Sequence, residues 1–389
     1  MLPDSELTGR NSDVQILRAV AILYVLVHHA RFHIFANLSP FWEQFYRFFF
    51  GTTGVDLFFV ISGFVIIRSL MGSLAVETRH DAIKFFWIKR IYRILPAAWL
   101  WLAIIILLTL FVNKSGAFGS FRAAFEGSVA AILNVANIRL ADCFGRYECG
   151  TTDVYWSLSL EEQFYILLPL LVVLSRRFLP VVLIIFVLSQ ILIPVLTLPS
   201  TYRATGLALG VLLGWYSHTK EYRIFFISPL EKVKARLFFA LLCFCLAVTL
   251  HPGLNIVSER LGYQLVAIVS AFMVYMASMN CIGFFGDGRL KQLMCWIGDR
   301  SFSLYLSHVP AFALSKEIVY YLPAQALDGL NMNMILASLS VFIMFTSADI
   351  CFRYVEQPFQ RKARERIRKG KASTAIEPVE PADSVNLPV

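Results

Sequence analysis

Arg18 and His29 stand eleven residues apart in the stretch I-L-R-A-V-A-I-L-Y-V-L-V-H-H-A-R-F, Ile16 to Phe32, which is otherwise apolar or aromatic up to His28. At about 100° and 1.5 Å per residue, that step returns to within roughly 20° of one helical stripe and separates the two groups by about 16 Å along the axis. A guanidinium can stabilise developing anionic charge, and an imidazole can take up a proton near neutral pH. Ionisable groups in a membrane-spanning stretch are costly, which makes each a candidate for function. Snorkelling to headgroups accounts equally well for Arg18 taken alone, and less well for two histidines inside the outer turn. Phase with Arg18 selects His29 over His28.

Three further clusters carry chemistry. In W-S-L-S-L-E-E-Q-F-Y, Trp156 to Tyr165, the carboxylates Glu161 and Glu162 enter an apolar helix within its first turns. Acidic residues suit a helix N-terminus that Ser157 or Ser159 could cap. The topology below also puts them level with His29, and a carboxylate beside an imidazole fixes its tautomer and raises its basicity. In G-D-R-S-F-S-L-Y-L-S-H-V-P, Gly298 to Pro310, Ser301, Tyr305 and His308 form one polar stripe. Hydrogen bonds between helices explain each of these at least as well as substrate contact does. In K-F-F-W-I-K-R-I-Y-R-I-L-P, Lys84 to Pro96, Lys89, Arg90 and Arg93 recur beside aromatics. That pattern can bind phosphates and stack on adenine, although from spacing alone ordinary loop charge is the favoured reading.

The elements that must position these residues are membrane helices. Hydrophobic residues make up 58% of the 389 positions and charged residues 16%, against about half and a quarter in a soluble domain. The excess falls in stretches of about 18 to 22 residues, the length that crosses a hydrocarbon core, without the alternation of barrel strands. The expected fold is all-α, a polytopic bundle with spans at 16–35, 51–70, 94–113, 158–175, 179–197, 203–217, 236–250, 259–280, 299–320 and 332–353. Residues 123–138 are ambiguous, and charge decides. If they stay outside, the basic loops from Arg68 to Lys291 and the tail R-K-A-R-E-R-I-R-K-G-K share one face, leaving about nine Lys and Arg opposite. The expectation is therefore ten spans with both termini cytoplasmic. The first stretch is too long for a cleavable signal peptide and lacks a small-residue cleavage site. Residues 1–360 make one membrane domain, and 361–389 a basic, unstructured tail that can touch anionic lipid or simply flank the last span. The net charge of +9 sits where topology needs it, which argues against nucleic acid. No cysteine has metal-ligand spacing. Cys143 and Cys149 flank the polar loop F-G-R-Y-E, where a disulfide and a pair of free thiols are equally good readings.

Taken in order, these clusters resemble the acyltransferase-3 superfamily of bacterial membrane enzymes. The resemblance runs through L-R-A-V-A with an R-x10-H, G-V-D-L-F-F-V-I-S-G-F from Gly54, R-I-Y-R-I-L-P, W-S-L-S-L-E-E-Q-F-Y, S-L-Y-L-S-H and Y-V-E-Q-P. It implies transfer of an acyl group, most often acetyl, from cytoplasmic acyl-CoA to a carbohydrate such as lipopolysaccharide O-antigen, exopolysaccharide, peptidoglycan or a lipid-linked glycan. The setting would be the bacterial inner membrane, with no permanently bound cofactor and no metal. By position, Arg18 and His29 match the family's essential pair, Arg90 and Arg93 its R-x-x-R, and Glu161 the acid of its W-S-L-x-x-E. Lys89 joins the acyl-CoA group, with Trp156, Ser157, Glu162, Tyr305, His308 and Asp56 in support. Some members add an extracytoplasmic hydrolase-like domain; none is expected here, which would leave the whole relay to the bundle. His29, oriented by Glu161, would act as general base or accept the acyl group itself. The rival class is a secondary transporter using the same charges, though no inverted repeat or pair of broken spans supports it.

Overall fold

The protein, a computed structural model, is described over residues 11–35, 40–49, 51–175, 177–192, 203–219, 222, 240–244, 259–279, 288–323 and 331–374. Its described elements are all helical. They are α1 Ser12–His33, α2 Pro40–Phe48, α3 Thr53–Leu74, α4 Arg79–Phe111, α5 Phe121–Ile132, α6 Ala136–Cys143, α7 Tyr155–Ser175, α8 Leu179–Leu192 and α9 Thr205–Tyr216. There follow α10 Glu259–Ser278, α11 Arg289–Asp299, α12 Ser301–Tyr320, α13 Met332–Cys351 and, after a wider π-helical turn over Phe352–Glu356, α14 Gln357–Thr374.

Six of the described helices are long and apolar enough to cross a membrane: α1, α3, α4, α7, Leu261–Ser278 within α10, and the continuous Met332–Ala372. Helices α8 and α9 are apolar but shorter. Of the expected spans, 236–250 lies mostly outside the described residues, and 179–197 is described only to 192. Helix α12 is long enough, yet it carries Ser303, Ser307, His308, Ser315 and Glu317, all fully buried. It can be polar because α1, α4 and α13 surround it, so it turns little of its surface to lipid. The ambiguous 123–138 segment breaks near Asn134, whose φ is +58°, leaving α5 and α6 with 12 and 8 residues. Each is too short to span about 30 Å of hydrocarbon. Phe121, Phe125, Val129 and Ile132 on α5 are exposed while Ala123, Ala124 and Gly127 pack inward, the pattern of a helix lying along an interface.

Close approach of backbones holds α1 and α3 at the centre. Gly206, Gly210 and Gly214 repeat at four-residue spacing along α9, and a Cβ added at Gly210 would overlap the Val60 carbonyl of α3. Gly63 on α3 faces the Leu207 carbonyl in the same way, and Gly54 faces Ala21 of α1. Without a hydrophobic force between helices in lipid, such small-residue contacts supply the packing.

The chain runs up α1, down α7 and up α12, so the bundle has two distinct ends. At the end where α4 finishes, Cys143 and Cys149 are disulfide-bonded with Cα atoms 5.4 Å apart. Gly150 there adopts φ +83° against the Ala123 backbone, which a residue with a side chain would not tolerate. Glu317 accepts the Ser115 N–H at 3.0 Å and ties the loop after α4 to the end of α12. The opposite end is basic and protrudes. Helix α4 has 33 residues and Met332–Ala372 has 41, about 50 and 60 Å, well beyond a hydrocarbon core. They run on side by side: Lys371 pairs with Glu77 at 2.5 Å, Arg366 sits over Tyr92 at 5.2 Å, and Ala363 and Ile367 are buried. Residues 361–374, expected to be unstructured, are helical because α4 gives their few apolar positions a partner. Residues 375–389 lie outside the described part.

Candidate active site

Three helices carry the site, and their directions fix its register. Helix α1 rises from Arg18 to His29, antiparallel α7 descends from the turn at Asp153 through Ser157 to Glu161 and Tyr165, and α12 rises from Ser301 through Tyr305 to His308. Arg18, Arg93, Ser62, Ser157, Glu161, Ser301 and Tyr305 line one cavity of about 90 Å³, room for roughly three waters or a slender acyl chain. The Tyr165 hydroxyl donates to Glu161 at 3.0 Å and also contacts the Ser62 hydroxyl on α3. The Arg90 guanidinium lies 5.5 Å over the Tyr165 ring, and its Nε is buried without a hydrogen-bond partner. Arg93, Arg90 and Arg18 set their charges against Glu161. Glu356, reaching in from the π-helical turn to bond Ser303, adds a second carboxylate facing Arg93 and Arg18. Three guanidinium groups against two carboxylates leave an excess of positive charge, suited to an anionic guest.

At the other end of the track, histidines take over. The Tyr305 hydroxyl donates to the Val154 carbonyl at 2.8 Å, so the Ser157 hydroxyl 2.7 Å away must be the donor to Tyr305. One turn on, His308 donates Nδ1–H to the Tyr305 carbonyl at 2.6 Å, leaving Nε2 buried and unpartnered. His29 donates Nδ1–H to the Val25 carbonyl at 2.9 Å. The carbonyl acceptors assign the tautomers, and each imidazole keeps a basic Nε2. The two rings are 4.8 Å apart, with His33 stacked 6.4 Å beyond His29 and 5.4 Å from Phe312. The carboxylate set against His29 is that of Asp153. Burial pushes the Asp153 carboxyl above its usual range, and the facing His29 opposes that rise.

The structure thus brings together Arg18, Arg93, Glu161, Ser157 and Tyr305, and separately His29 and His308. It does not set Glu161 beside His29. The turn before α7 is already inside the bundle, with Thr152, Val154 and Tyr155 at 2, 3 and 2% exposure. Glu161 therefore lies eight residues past Asp153, on the order of 10 Å deeper, among the arginines. Glu162 faces Asn134 at the α5–α6 break, away from the cavity. Lys89 donates to Ser69 at 3.4 Å near Lys371 and Glu77. Asp56 pairs with Arg203 at 3.0 Å, and that guanidinium lies between Trp156 at 4.9 Å and Tyr263 at 4.1 Å, which fixes the start of α9 against α3 and α7. Arg203, Asp153 and Glu356 were missed by sequence reasoning. Each stands at the edge of an apolar stretch, where a charge looks like ordinary loop; Y-V-E-Q-P was the one signal for Glu356. Among the described residues no group of His, Cys, Asp and Glu is placed to hold a metal ion.

Fold and site together define an all-helical bundle, with at least six helices able to cross a membrane, threaded by a charged track. The chain belongs to the acyltransferase-3 family, whose acyltransferase domain matches residues 11–353. It is 27% identical to the peptidoglycan O-acetyltransferase OatA of Listeria monocytogenes, over 91% of this chain and 56% of that protein. It is 25% identical to the O-acetyltransferase OatA of Staphylococcus aureus, over 89% of this chain and 56% of that protein. The chain spans about half the length of these relatives. No solved structure matches it.

Proposed function

We propose that the protein is a membrane O-acyltransferase that moves an acetyl group from acetyl-CoA, bound at the basic end, to a hydroxyl of a cell-envelope glycan at the disulfide-bearing end. The positive-inside bias supports a cytoplasmic basic end. A disulfide between Cys143 and Cys149 suits the oxidising side of a bacterial inner membrane. Peptidoglycan is the first acceptor to test because the Listeria relative is named for it; lipopolysaccharide O-antigen and exopolysaccharide follow.

Arg90 and Arg93 supply positive field for the phosphates of CoA, and the acyl-bearing arm enters the cavity past Arg18. The observation that carries the reading is His29: its Nδ1–H is held by the Val25 carbonyl at 2.9 Å, which leaves Nε2 as the nitrogen able to take up a proton. That nitrogen takes the proton of the acceptor hydroxyl as its oxygen attacks the thioester carbon; the C–S bond breaks, and the thiolate leaves with a proton as CoA–SH. Membranes incubated with labelled acetyl-CoA should transfer label covalently to purified glycan, and His29→Ala should abolish this while the protein stays in the membrane. Full transfer by His29→Ala would overturn the mechanism. Gradient-dependent substrate uptake without covalent label would favour a transporter instead.

A further inference from the structure

We propose that Asp153 is the positioning residue of the reaction, the carboxylate that stabilises the imidazolium formed on His29; the inference rests on the acyl-transfer reading above. Asp153 occupies the turn into α7, where its backbone N–H meets the Gly150 carbonyl at 3.4 Å and its carbonyl accepts the Trp156 N–H at 3.1 Å. Three fastenings hold this turn inside the bundle. The Cys143–Cys149 disulfide closes the loop before it, Gly150 packs on the Ala123 backbone, and the Tyr305 hydroxyl grips the Val154 carbonyl at 2.8 Å. That last bond ties the turn to α12 one turn from His308, whose ring is 4.8 Å from His29. Asp153 Oδ1 is buried and has no hydrogen-bond partner. A buried carboxylate oxygen left unpaired is expensive unless a cation arrives, and the group whose charge it meets is His29.

The chemistry follows from which nitrogen is committed. His29 Nδ1–H stays on Val25, so the acceptor's proton can go only to Nε2, and the ring becomes a cation in an apolar setting. Asp153 offsets that cation without being protonated itself. The other groups facing His29 cannot do so: His28 and His33 on its own helix and His308 on α12 are bases, and Lys316 beyond His33 is cationic.

The test is the rate of label transfer from acetyl-CoA in membranes, followed across pH, for the wild type, Asp153→Asn, Asp153→Glu, Glu161→Gln and His29→Ala. Asp153→Asn should lower kcat by roughly 10- to 1000-fold with KM for acetyl-CoA little changed, and Asp153→Glu should restore part of the rate. Because Asn removes the negative neighbour of the imidazolium, the acidic limb of kcat/KM should move to lower pH. Glu161→Gln should leave that limb in place. Alkylation of Cys143 and Cys149 before and after reduction reports whether each variant keeps the folded loop; should Asn lose it, Glu carries the test. Wild-type kcat and an unmoved limb in Asp153→Asn, with His29→Ala inactive, would overturn the role of Asp153 and leave the acyltransferase reading standing. Absence of transfer by the wild type would overturn that reading, and this inference with it.

Discussion

At the scale of the residue, the site is a line of polar groups that each keep a spare valence. His29 and His308 both commit Nδ1–H to a carbonyl of their own helix. Among the described residues, Glu161 and Glu356 are the carboxylates set against Arg18, Arg90 and Arg93, so an incoming anion meets more positive charge than those two cancel. A hydrogen bond to a charged group contributes about 1.5–3 kcal/mol, which converts to about 10- to 150-fold in affinity. Arg93→Ala should therefore raise KM for acetyl-CoA by that factor, with a smaller change in kcat, as read from initial rates over a range of donor concentrations. An unchanged KM would remove Arg93 from the donor site. Arg18, His29, Tyr305 and His308 stand out in the sequence because a polar group inside an apolar stretch contrasts with its surroundings, whereas Arg93 is singled out by the family resemblance alone, its spacing being that of ordinary loop charge. Asp153 does not stand out, since T-T-D-V ahead of a span has the composition of any solvent-facing turn. Only its burial, set by contacts with α5, α6 and α12, separates it from one.

At the scale of the element, small residues set how near the helices approach, and nearness sets the register of the side chains they carry. Gly210→Val should push α9 off the Val60 carbonyl and cost about 1–3 kcal/mol, seen as a lower midpoint when detergent-solubilised protein is heated and its monodisperse fraction counted. Gly72→Ala on α3, where an added Cβ meets nothing within 4 Å, should not lower that midpoint and serves as the control. Length and hydropathy sufficed to locate α1, α3, α4, α7, α10 and α13. They could not give depth, because an apolar stretch has no marker for where the bundle interior begins. That is why Glu161 was expected beside His29 and is found with the arginines. The expected span 299–320 coincides with α12, whose buried polar groups face neighbouring helices rather than lipid. The same criteria miss α14, a polar helix packed along α4.

At the scale of the whole molecule, the two ends differ in ways that match a reaction with a donor on one side and an acceptor on the other. One end carries the arginine cavity and the paired extension of α4 and α14, with Arg361, Lys362, Arg364, Arg366 and Arg368 along it. The other carries a disulfide, a surface helix and two fixed imidazoles, and the polar track of α1, α7 and α12 joins them. In the proposed reaction the acyl group passes along this track from face to face. The most direct test of that passage is a sided assay in proteoliposomes, with labelled acetyl-CoA confined to the basic face and a soluble glycan fragment confined to the opposite one. Wild-type protein should label the glycan, and His29→Ala at equal incorporation should not. Label appearing only when donor and glycan share a face would contradict that passage.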